Sequence, residues 1–404
     1  MSTEIRPIQP EEMEAFFQAS TAAFGSDLSP EFMEQARATG EIDRTLAVFD
    51  GAEIVGTTGI FSLNLTVPGA ALPTAGVTWV SVKPTHRRGG VLTKMMRQQL
   101  SDIRERSEPL AALWASESII YGRFGYGLAA EGVELRVERT RTAFAHEPPV
   151  CGRARLVSRD EALAAWPAIY DQVLSTQPGM YSRSEAWWRE RALRPSEGRA
   201  GFSGNFYVQY EEDRPLGYAR YRVRPGGQAG LPDGSLSVRE LMAASESAYA
   251  ALWNYLFGVD LIGTIEAHLR HIDEPLFWML ADPRRLVRRP GDTLWLRIVD
   301  VAAALEGRRY AAEGRLLFEV RDRFCPWNEG RYELEAGGEG ARCRPTDAEP
   351  EITLDVADLA AAYLGGARLQ TLRRAGRAEG DSEALRRADA IFTWDPLPWC
   401  PEVF

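Results

Sequence analysis

Cysteine and histidine are scarce in this sequence, with four of each among 404 residues. The cysteines are scattered and form no Cys-x-x-Cys pair; they are Cys151, Cys325, Cys343 and Cys400. This scarcity argues against a disulfide framework and against a zinc site, so we expect no metal. It also leaves no grouping of histidine, cysteine and aspartate that would suggest a covalent acyl-enzyme.

Long apolar runs and a surplus of positive charge are missing as well. No segment is both long and uncharged enough to cross a bilayer, and the start of the chain lacks the basic-then-apolar pattern of a signal peptide. We therefore expect a cytoplasmic protein without a membrane span. Lysine and arginine number 47 against 57 acidic residues, giving a net charge of −10. This charge disfavours nucleic acid as a partner and is compatible with cationic substrates.

The composition is sufficient to build several packed domains. The chain is too long for one ordinary core, so two or three domains are expected, and 45% hydrophobic and 10% aromatic residues can fill them. Hydrophobic periodicity predicts alternating helices and strands, which indicates an α/β (α+β) fold. The predicted helices include 10–24, 160–174, 246–257 and 356–364, and the predicted strands include 45–49, 53–63, 110–115, 206–210, 216–223, 235–243 and 316–320.

One stretch combines a strand, a glycine turn and a helix. Residues Trp79–Val82 read as the end of a strand, and apolar residues recur at helical spacing from Val91 onward. Gly89 and Gly90 at the junction would let a ligand approach the backbone, and the first amides of the helix lack intrahelical partners. Such a site suits a pyrophosphate. From the spacing alone, an ordinary tight turn accounts for the pattern equally well.

The residues of this loop resemble those of a known family. The run Arg87-Arg88-Gly89-Gly90-Val91-Leu92 after a Val-x-Val strand resembles the coenzyme A pyrophosphate loop of the GNAT N-acetyltransferases. Together with further matching segments, it resembles more narrowly the Eis (enhanced intracellular survival) family. Those segments are Leu72–Gly76, Pro84–Arg88, Ala115–Glu117 and Ile120–Gly127.

The resemblance implies a domain order. It suggests a catalytic GNAT domain over residues 1–145, a degenerate GNAT-like domain over 146–299 and a sterol-carrier-like α+β domain over 300–404. The second domain lacks a phosphate loop, because the corresponding turn reads Ala243-Ala244-Ser245-Glu246 without glycines or basic support. We therefore expect it to shape the substrate cavity, and we do not infer sterol binding for the third domain.

The resemblance also implies an activity, namely transfer of acetyl from acetyl-CoA to aminoglycoside or lysine amines, in a hexamer. Tyr121 is the implied general acid, with Tyr126 as the residue that could be confused with it. The C-terminal carboxylate of Phe404 is the implied general base. Without the resemblance, Tyr121 reads as a half-buried aromatic and Phe404 as a frayed end.

Further residues are assigned to ligands on the same basis. The expected substrate wall comprises Phe24, Asp27, Trp79 and Glu402. Asp27 falls one residue later than the family spacing, and Val403 stands where Eis sequences can carry an acid, so Glu402 is one step further back. The implied coenzyme A contacts are Val80, Ser81 and Val82 through backbone, Arg87, Arg88, Gly89, Gly90, Val91, Leu92 and Thr93 at the pyrophosphate, and Ser116 with Glu117 beyond the strand that follows.

Two alternatives remain open at this point. One is a protein-lysine acetyltransferase, and the other is a non-catalytic protein that binds acyl-CoA or lipid. The presence of both Tyr121 and Phe404 favours an enzyme, since a binding protein needs neither. Small-molecule polyamines or aminoglycosides are therefore the expected partners of a homo-oligomeric enzyme.

Overall fold

The computed structural model describes residues 3–149, 151–195, 200–228, 231–337 and 340–404. No helix in these ranges has both the length and the apolar character needed to span a membrane. The helices are α1 (Met13–Ala23), α2 (Pro30–Thr39), α3 (Val91–Glu105), α4 (Ser118–Tyr121), α5 (Arg159–Leu174), α6 (Glu185–Trp187), α7 (Glu246–Phe257), α8 (Leu276–Met279), α9 (Val301–Glu306), α10 (Val356–Tyr363), α11 (Leu369–Arg374) and α12 (Ser382–Phe392).

Strands alternate with these helices throughout the described chain. They are β1 (Thr3–Arg6), β2 (Leu46–Asp50), β3 (Glu53–Val67), β4 (Ala70–Val82), β5 (Leu110–Leu113), β6 (Gly127–Glu138), β7 (Arg153–Val157), β8 (Phe206–Glu211), β9 (Pro215–Arg224), β10 (Gly227–Gln228), β11 (Leu231–Pro232), β12 (Gly234–Ala243), β13 (Ile262–His271), β14 (Val287–Ile298), β15 (Gly314–Arg321), β16 (Gly330–Gly337), β17 (Gly340–Pro345), β18 (Ile352–Asp355) and β19 (Ala378–Gly380).

The chain forms two compact units. The first comprises Met1–Ala130, Thr293–Pro398 and Val403–Phe404, and the second comprises Glu131–Asp292 and Trp399–Glu402. In the first unit, the strands are ordered β1-β2-β3-β4-β5-β14. A tight turn at Gly69, whose φ is +65°, joins β3 and β4 into a long antiparallel hairpin.

Helix α3 covers this sheet through one apolar face. Met95, Met96, Leu100 and Ile103 are buried at helical spacing, together with Gln99, whose Nε2 donates to the Thr58 hydroxyl at 2.9 Å, while Arg97 and Gln98 are exposed. The core formed by Met96, Leu100 and Ile103 extends to the residues of the candidate site. The first unit also contains a five-stranded sheet ordered β17-β16-β15-β18-β19, on which α10 lies fully buried.

The second unit has its own sheet and core. Its strands are ordered β6-β13-β12-β9-β8-β7, and β12 and β13 are parallel. The helices α5 and α7 begin at serine caps, Ser158 and Ser245. The short α6 continues directly into a π-helical turn over Trp188–Ala192. Trp187 packs edge-on against Tyr181 there, and Trp188 against Tyr170.

Candidate active site

Strands β4 and β5 lie side by side only briefly and then separate. Their parallel pairing ends at Gly76 and Ala112, whereas β4 continues to Val82. Beyond Gly76, the edge of β4 that faced β5 has no strand partner among the described residues. Open main-chain groups of this kind can pair with an extended ligand arm. Val80–Val82, the predicted backbone contacts, lie in this separated part of β4.

A bulge in β4 lies within the separated part. The register with β3 shifts between the pairs Thr57–Ser81 and Gly59–Thr78, and Trp79 has a φ of +54°. The Thr57 hydroxyl donates to the main-chain oxygen of Trp79 at 2.7 Å and lies 2.7 Å from the Ser81 hydroxyl. These contacts hold Trp79 in a conformation that residues with side chains seldom adopt. The Ser81 hydroxyl is therefore engaged by β3 within the sheet.

The indole of Trp79 belongs to an aromatic cluster. Its ring meets Phe17 at 4.9 Å and Phe61 at 5.0 Å between centroids, and Phe16 at 6.3 Å, each edge-on. A Cβ on Gly59 would lie 2.4 Å from the indole, so glycine is required there for the ring to fit. Trp79 is only half-buried, so one part of its ring remains available to form a wall.

Phe24 and Asp27 lie in the surface loop between α1 and α2. Phe24 directly follows α1 with 58% of its surface exposed, and Asp27 is also exposed. A single exposed phenylalanine and an exposed aspartate are both ordinary at a protein surface, so exposure alone does not mark either residue as a ligand contact.

The loop before α3 is shaped for an anion. Helix α3 begins after Gly90, which has a φ of +81° and provides no side-chain cap. The first intrahelical bond runs from the Lys94 amide to the Gly90 carbonyl, so the amides of Val91, Leu92 and Thr93 precede it. Arg88 also takes a left-handed φ of +64°. There is room for a side chain at position 90, since an added Cβ would meet nothing within 4 Å. Glycine is needed at this position because of its left-handed backbone conformation.

The two arginines of the loop have different environments. Arg87 donates from Nε to the Val82 carbonyl at 3.2 Å and from Nη2 to the Ala23 carbonyl at 3.0 Å. Arg87 therefore ties the loop to β4 and to the end of α1. Arg88 is exposed and makes no side-chain hydrogen bond or ion pair within the described part of the chain. Of the two, Arg88 is available to a pyrophosphate.

Tyr121 lies at the end of α4, shortly after β5. Its side chain is buried, and its hydroxyl is hydrogen-bonded to Ser116, which is itself exposed beyond β5 beside Glu117. Burial raises the pKa of Tyr121 to about 12, although the bond to Ser116 acts in the opposite direction. Tyr121 is therefore a neutral hydroxyl donor at physiological pH. Ser116, expected as a coenzyme A contact, is also the partner of this hydroxyl.

Tyr126 has a different environment, although it lies in the same motif. It is 1% exposed, and its buried hydroxyl has no hydrogen-bond partner among the described residues. Burial raises the pKa of Tyr126 further than that of Tyr121, while the nearby Arg297 guanidinium opposes the rise. A hydroxyl that is sealed in the core cannot reach a reacting atom, so the geometry favours Tyr121 over Tyr126.

Sequence reasoning missed the buried Arg297. Its Nη2 lies 2.6 Å from Asp322 Oδ2, and both side chains are almost completely buried. A Cβ on Gly125 would lie 2.6 Å from Arg297 Nη1, so the second glycine of the Tyr-Gly-Arg-Phe-Gly-Tyr motif makes room for this cation. Gly125 was the sign in the sequence that another group packs closely at this position. A glycine alone does not reveal that the group is Arg297, far along the chain.

The terminal residues are ordered and partly buried. Phe404 is 7% exposed, whereas Val403 is 52% exposed. The carboxylate of Glu402 is engaged at both oxygens, by Arg183 Nε at 2.8 Å and by Trp187 Nε1 at 2.9 Å. The alternation places Glu402 and Phe404 inward and Val403 outward. Glu402 therefore has little capacity left for a substrate amine.

The described residues include no group of three or more histidine, cysteine, aspartate or glutamate side chains that could hold a metal. None of the four cysteines forms a disulfide, and only Cys151 is exposed.

Comparison with protein families divides the chain in the expected order. Residues 4–129 match an acetyltransferase (GNAT) domain, residues 179–298 match a second acetyltransferase (GNAT) domain, and residues 301–401 match a sterol carrier protein domain. These matches confirm the predicted fold class, including the presence of a second GNAT domain.

The chain also aligns with relatives over nearly their whole length. The chain is 41% identical over 409 residues to an uncharacterised N-acetyltransferase of Streptomyces avermitilis, with 100% of both chains covered. It is 38% identical over 395 residues to the N-acetyltransferase Eis of Mycobacterium tuberculosis, with 94% of both covered. The crystal structure of Eis1 from Mycobacterium abscessus superimposes with a TM-score of 0.87 at 34% identity, covering 99% of this chain and all of that one.

Proposed function

The chain belongs to the Eis-type GNAT family of N-acetyltransferases, and from that premise we propose that it transfers acetyl from acetyl-CoA directly to amines of polycationic molecules such as aminoglycosides, at more than one position. The observation that carries the proposal is the buried, hydrogen-bonded hydroxyl of Tyr121 just beyond the point where β4 and β5 separate. A protein that only binds acyl-CoA needs no such donor.

In this proposal the coenzyme is held by the first GNAT domain. The open edge of Val80–Val82 pairs with the pantetheine arm, and the amides that follow Gly89 and Gly90 bind the pyrophosphate with Arg88. Arg87 supports the loop from behind through the two carbonyls it binds. Ser116 and Glu117 border the far side of the opening.

Among the described residues of the second GNAT domain, the start of α7 offers no comparable anion site. Helix α7 begins at Ser245, whose hydroxyl accepts from the Ala248 amide at 3.2 Å and lies 2.9 Å from the Ser247 hydroxyl. A side-chain cap occupies an amide that a phosphate would need, whereas α3 has none. We therefore assign one coenzyme site to each chain and a shaping role to the second domain.

The chemistry proceeds by direct attack. The amine nitrogen forms a bond to the thioester carbonyl carbon, its proton passes to the Phe404 carboxylate, and the carbon–sulfur bond then breaks. The Tyr121 hydroxyl stabilises the departing sulfur. Because its pKa of about 12 lies above the roughly 8.5 of an ordinary thiol, Tyr121 acts mainly through a hydrogen bond that strengthens as charge grows on sulfur.

Substrate preference follows from charge and shape. A net charge of −10 attracts polycationic amines over a distance set by ionic strength. The half-buried ring of Trp79 and the exposed ring of Phe24 provide apolar walls, and Asp27 provides a carboxylate nearby in sequence. On the basis of the family likeness, we further propose that the protein is a cytoplasmic homo-oligomer, namely a hexamer. Light scattering would test this by measuring the mass of the oligomer.

The deciding experiment is a thiol-release assay with acetyl-CoA. The purified chain is offered kanamycin, spermidine and a lysine-containing peptide in parallel, with mass spectrometry of each product. We expect rapid release with kanamycin and more than one acetyl group per molecule. Turnover of the peptide alone would favour a protein-lysine acetyltransferase, and acetyl-CoA binding without turnover of any amine would favour a non-catalytic binding protein.

A further inference from the structure

Residues Trp399–Glu402, near the end of the chain, belong to the second compact unit and are anchored within it. The Trp399 amide donates to the Pro178 carbonyl at 2.8 Å, and its indole Nε1 donates to the Leu269 carbonyl at 2.6 Å. The backbone passes so close to Gly179 that a Cβ there would lie 2.8 Å from the Trp399 carbonyl oxygen. Contacts of this kind fix the backbone in place. Terminal segments generally lack such contacts.

Glu402 is held through both its side chain and its backbone. Besides its bonds to Arg183 and Trp187, its main-chain oxygen accepts from the Tyr181 hydroxyl at 3.3 Å. The Glu402 side chain is 15% exposed. Side chain and backbone are thus bound at once, so Glu402 can neither rotate nor slide without breaking several bonds.

Arg183 links this residue to a second buried carboxylate. Its side chain is 1% exposed, and its Nη1 donates to Glu240 Oε1 at 2.9 Å. The Tyr218 hydroxyl donates to the same Glu240 oxygen at 2.7 Å. The guanidinium also lies against the Tyr170 ring, 4.1 Å from its centroid. One buried cation therefore lies between two carboxylates, and loss of either leaves charge without its partner.

The charges of this network are held in place by one another. Burial by itself would raise the pKa of Glu240, but the nearby guanidinium groups of Arg183 and Arg220 lower it below its usual range. Burial likewise disfavours the charged form of Arg183, and the carboxylates of Glu240 and Glu402 raise its pKa well above the usual value. Glu240 and Arg183 therefore remain ionised across the working pH range.

We infer that Glu402 is a positioning residue whose carboxylate, bound to Arg183 and Trp187, fixes the chain two residues before Phe404 and so determines where the terminal carboxylate lies. Two residues span at most about 7 Å, so an anchor at this point leaves the terminus little freedom. The inference rests on the proposed role of Phe404 as general base. It assigns Glu402 to the protein's own Arg183 and removes it from the substrate wall.

The test compares Glu402→Gln, Arg183→Met and the double variant in the full-length protein. We expect each single variant to lower kcat about 10-fold or more with the KM for acetyl-CoA unchanged, because a misplaced base impairs the chemical step. The double variant should be no worse than Arg183→Met, because that change already breaks the bond to Glu402 together with the bond to Glu240. Tyr218→Phe is the matched control, because it removes a bond to Glu240 without touching the segment.

Release of phenylalanine by a carboxypeptidase gives a second measurement that does not depend on activity. We expect faster release of Phe404 from Glu402→Gln than from the wild type or Tyr218→Phe at equal melting temperature. Independent, multiplying losses in the double variant, a raised amine KM at constant kcat, or unchanged release would each overturn the inference. Absence of activity in the wild-type protein would instead refute the proposed function, and the release assay would still test whether Glu402 anchors the terminus.

Discussion

The rings of Tyr121 and Tyr126 meet edge-on with 5.9 Å between their centroids, yet their hydroxyls have opposite environments. That of Tyr121 is hydrogen-bonded to the exposed Ser116, and that of Tyr126 is sealed in the core without a partner among the described residues. Two tyrosines of one motif are thereby separated into a candidate donor and a packing residue.

The first prediction uses this difference. Tyr121→Phe should lower kcat by about 10²-fold with little change in acetyl-CoA binding, the usual loss for one positioned acid. Tyr126→Phe should retain activity and should not lower the melting temperature, because it deletes a buried hydroxyl that has no partner. Steady-state kinetics and thermal unfolding of both variants measure these effects. A larger activity loss in Tyr126→Phe would reverse the assignment.

The second prediction concerns pH. Because burial raises the pKa of Tyr121 to about 12, its hydroxyl remains protonated from pH 7 to pH 10 and becomes charged only above that range. We therefore expect no decline in kcat from this group up to pH 10. The pH profile of kcat checks this. A basic limb between pH 8 and 10 that disappears in Tyr121→Phe would contradict it.

The third prediction concerns the loop before α3. The double variant Arg88→Glu with Gly90→Val should raise the KM for acetyl-CoA about 10-fold or more. One change reverses charge at the pyrophosphate, and the other forces a β-branched residue into a φ of +81°. Arg37→Glu, the same charge reversal on the exposed face of α2, is the control. Unchanged acetyl-CoA affinity in a folded double variant would exclude this loop as the anchor of the coenzyme.

The elements of this site were accessible from the sequence to different degrees. Periodicity located α3 and α7 because their apolar spacing is local, and the family resemblance selected Tyr121. The bulge at Trp79 could not be predicted, since it depends on Thr57 and Gly59 in another strand. The bond between Glu402 and Arg183 joins residues 219 positions apart, and no local pattern encodes it.

The two loop arginines illustrate the same limit. Arg87 and Arg88 are adjacent and chemically identical, so the sequence assigns both to the pyrophosphate. Their roles separate only when the fold brings the Val82 and Ala23 carbonyls to Arg87.

The fourth prediction concerns stability and pH. Asp358 is 3% exposed and lies 2.5 Å from Arg377 Nε, and burial raises its pKa to about 6 despite that cation. A carboxylate with a raised folded pKa destabilises the fold above that pKa, and the penalty is relieved as the pH falls toward its unfolded value near 4. Asp358→Asn should therefore increase the free energy of unfolding at pH 8 by up to about 3 kcal/mol, a figure that already includes the opposing attraction of Arg377.

Urea unfolding of both proteins at pH 8 and pH 4.5 measures this difference. The advantage of Asp358→Asn should shrink at the lower pH, where the wild-type carboxyl is itself protonated. An advantage that grew on acidification would show that Asp358 is stabilised as an anion by Arg377, with burial the smaller effect.

The last prediction concerns the terminal carboxylate. If it accepts the amine proton, moving the charge must matter more than trimming the phenyl ring of Phe404. Adding a few residues after Phe404 converts the carboxylate into a neutral amide, and deleting Phe404 withdraws the charge by one residue. Phe404→Ala keeps the carboxylate but loses the buried ring that steadies it. We expect extension and deletion to reduce kcat/KM severely, with Phe404→Ala intermediate and the melting temperature little changed in all three.

Simple docking of the ring would make Phe404→Ala as damaging as the deletion. Equal turnover of kanamycin by proteins tagged at the C terminus and at the N terminus would exclude the carboxylate as the base, because an amide cannot accept the proton.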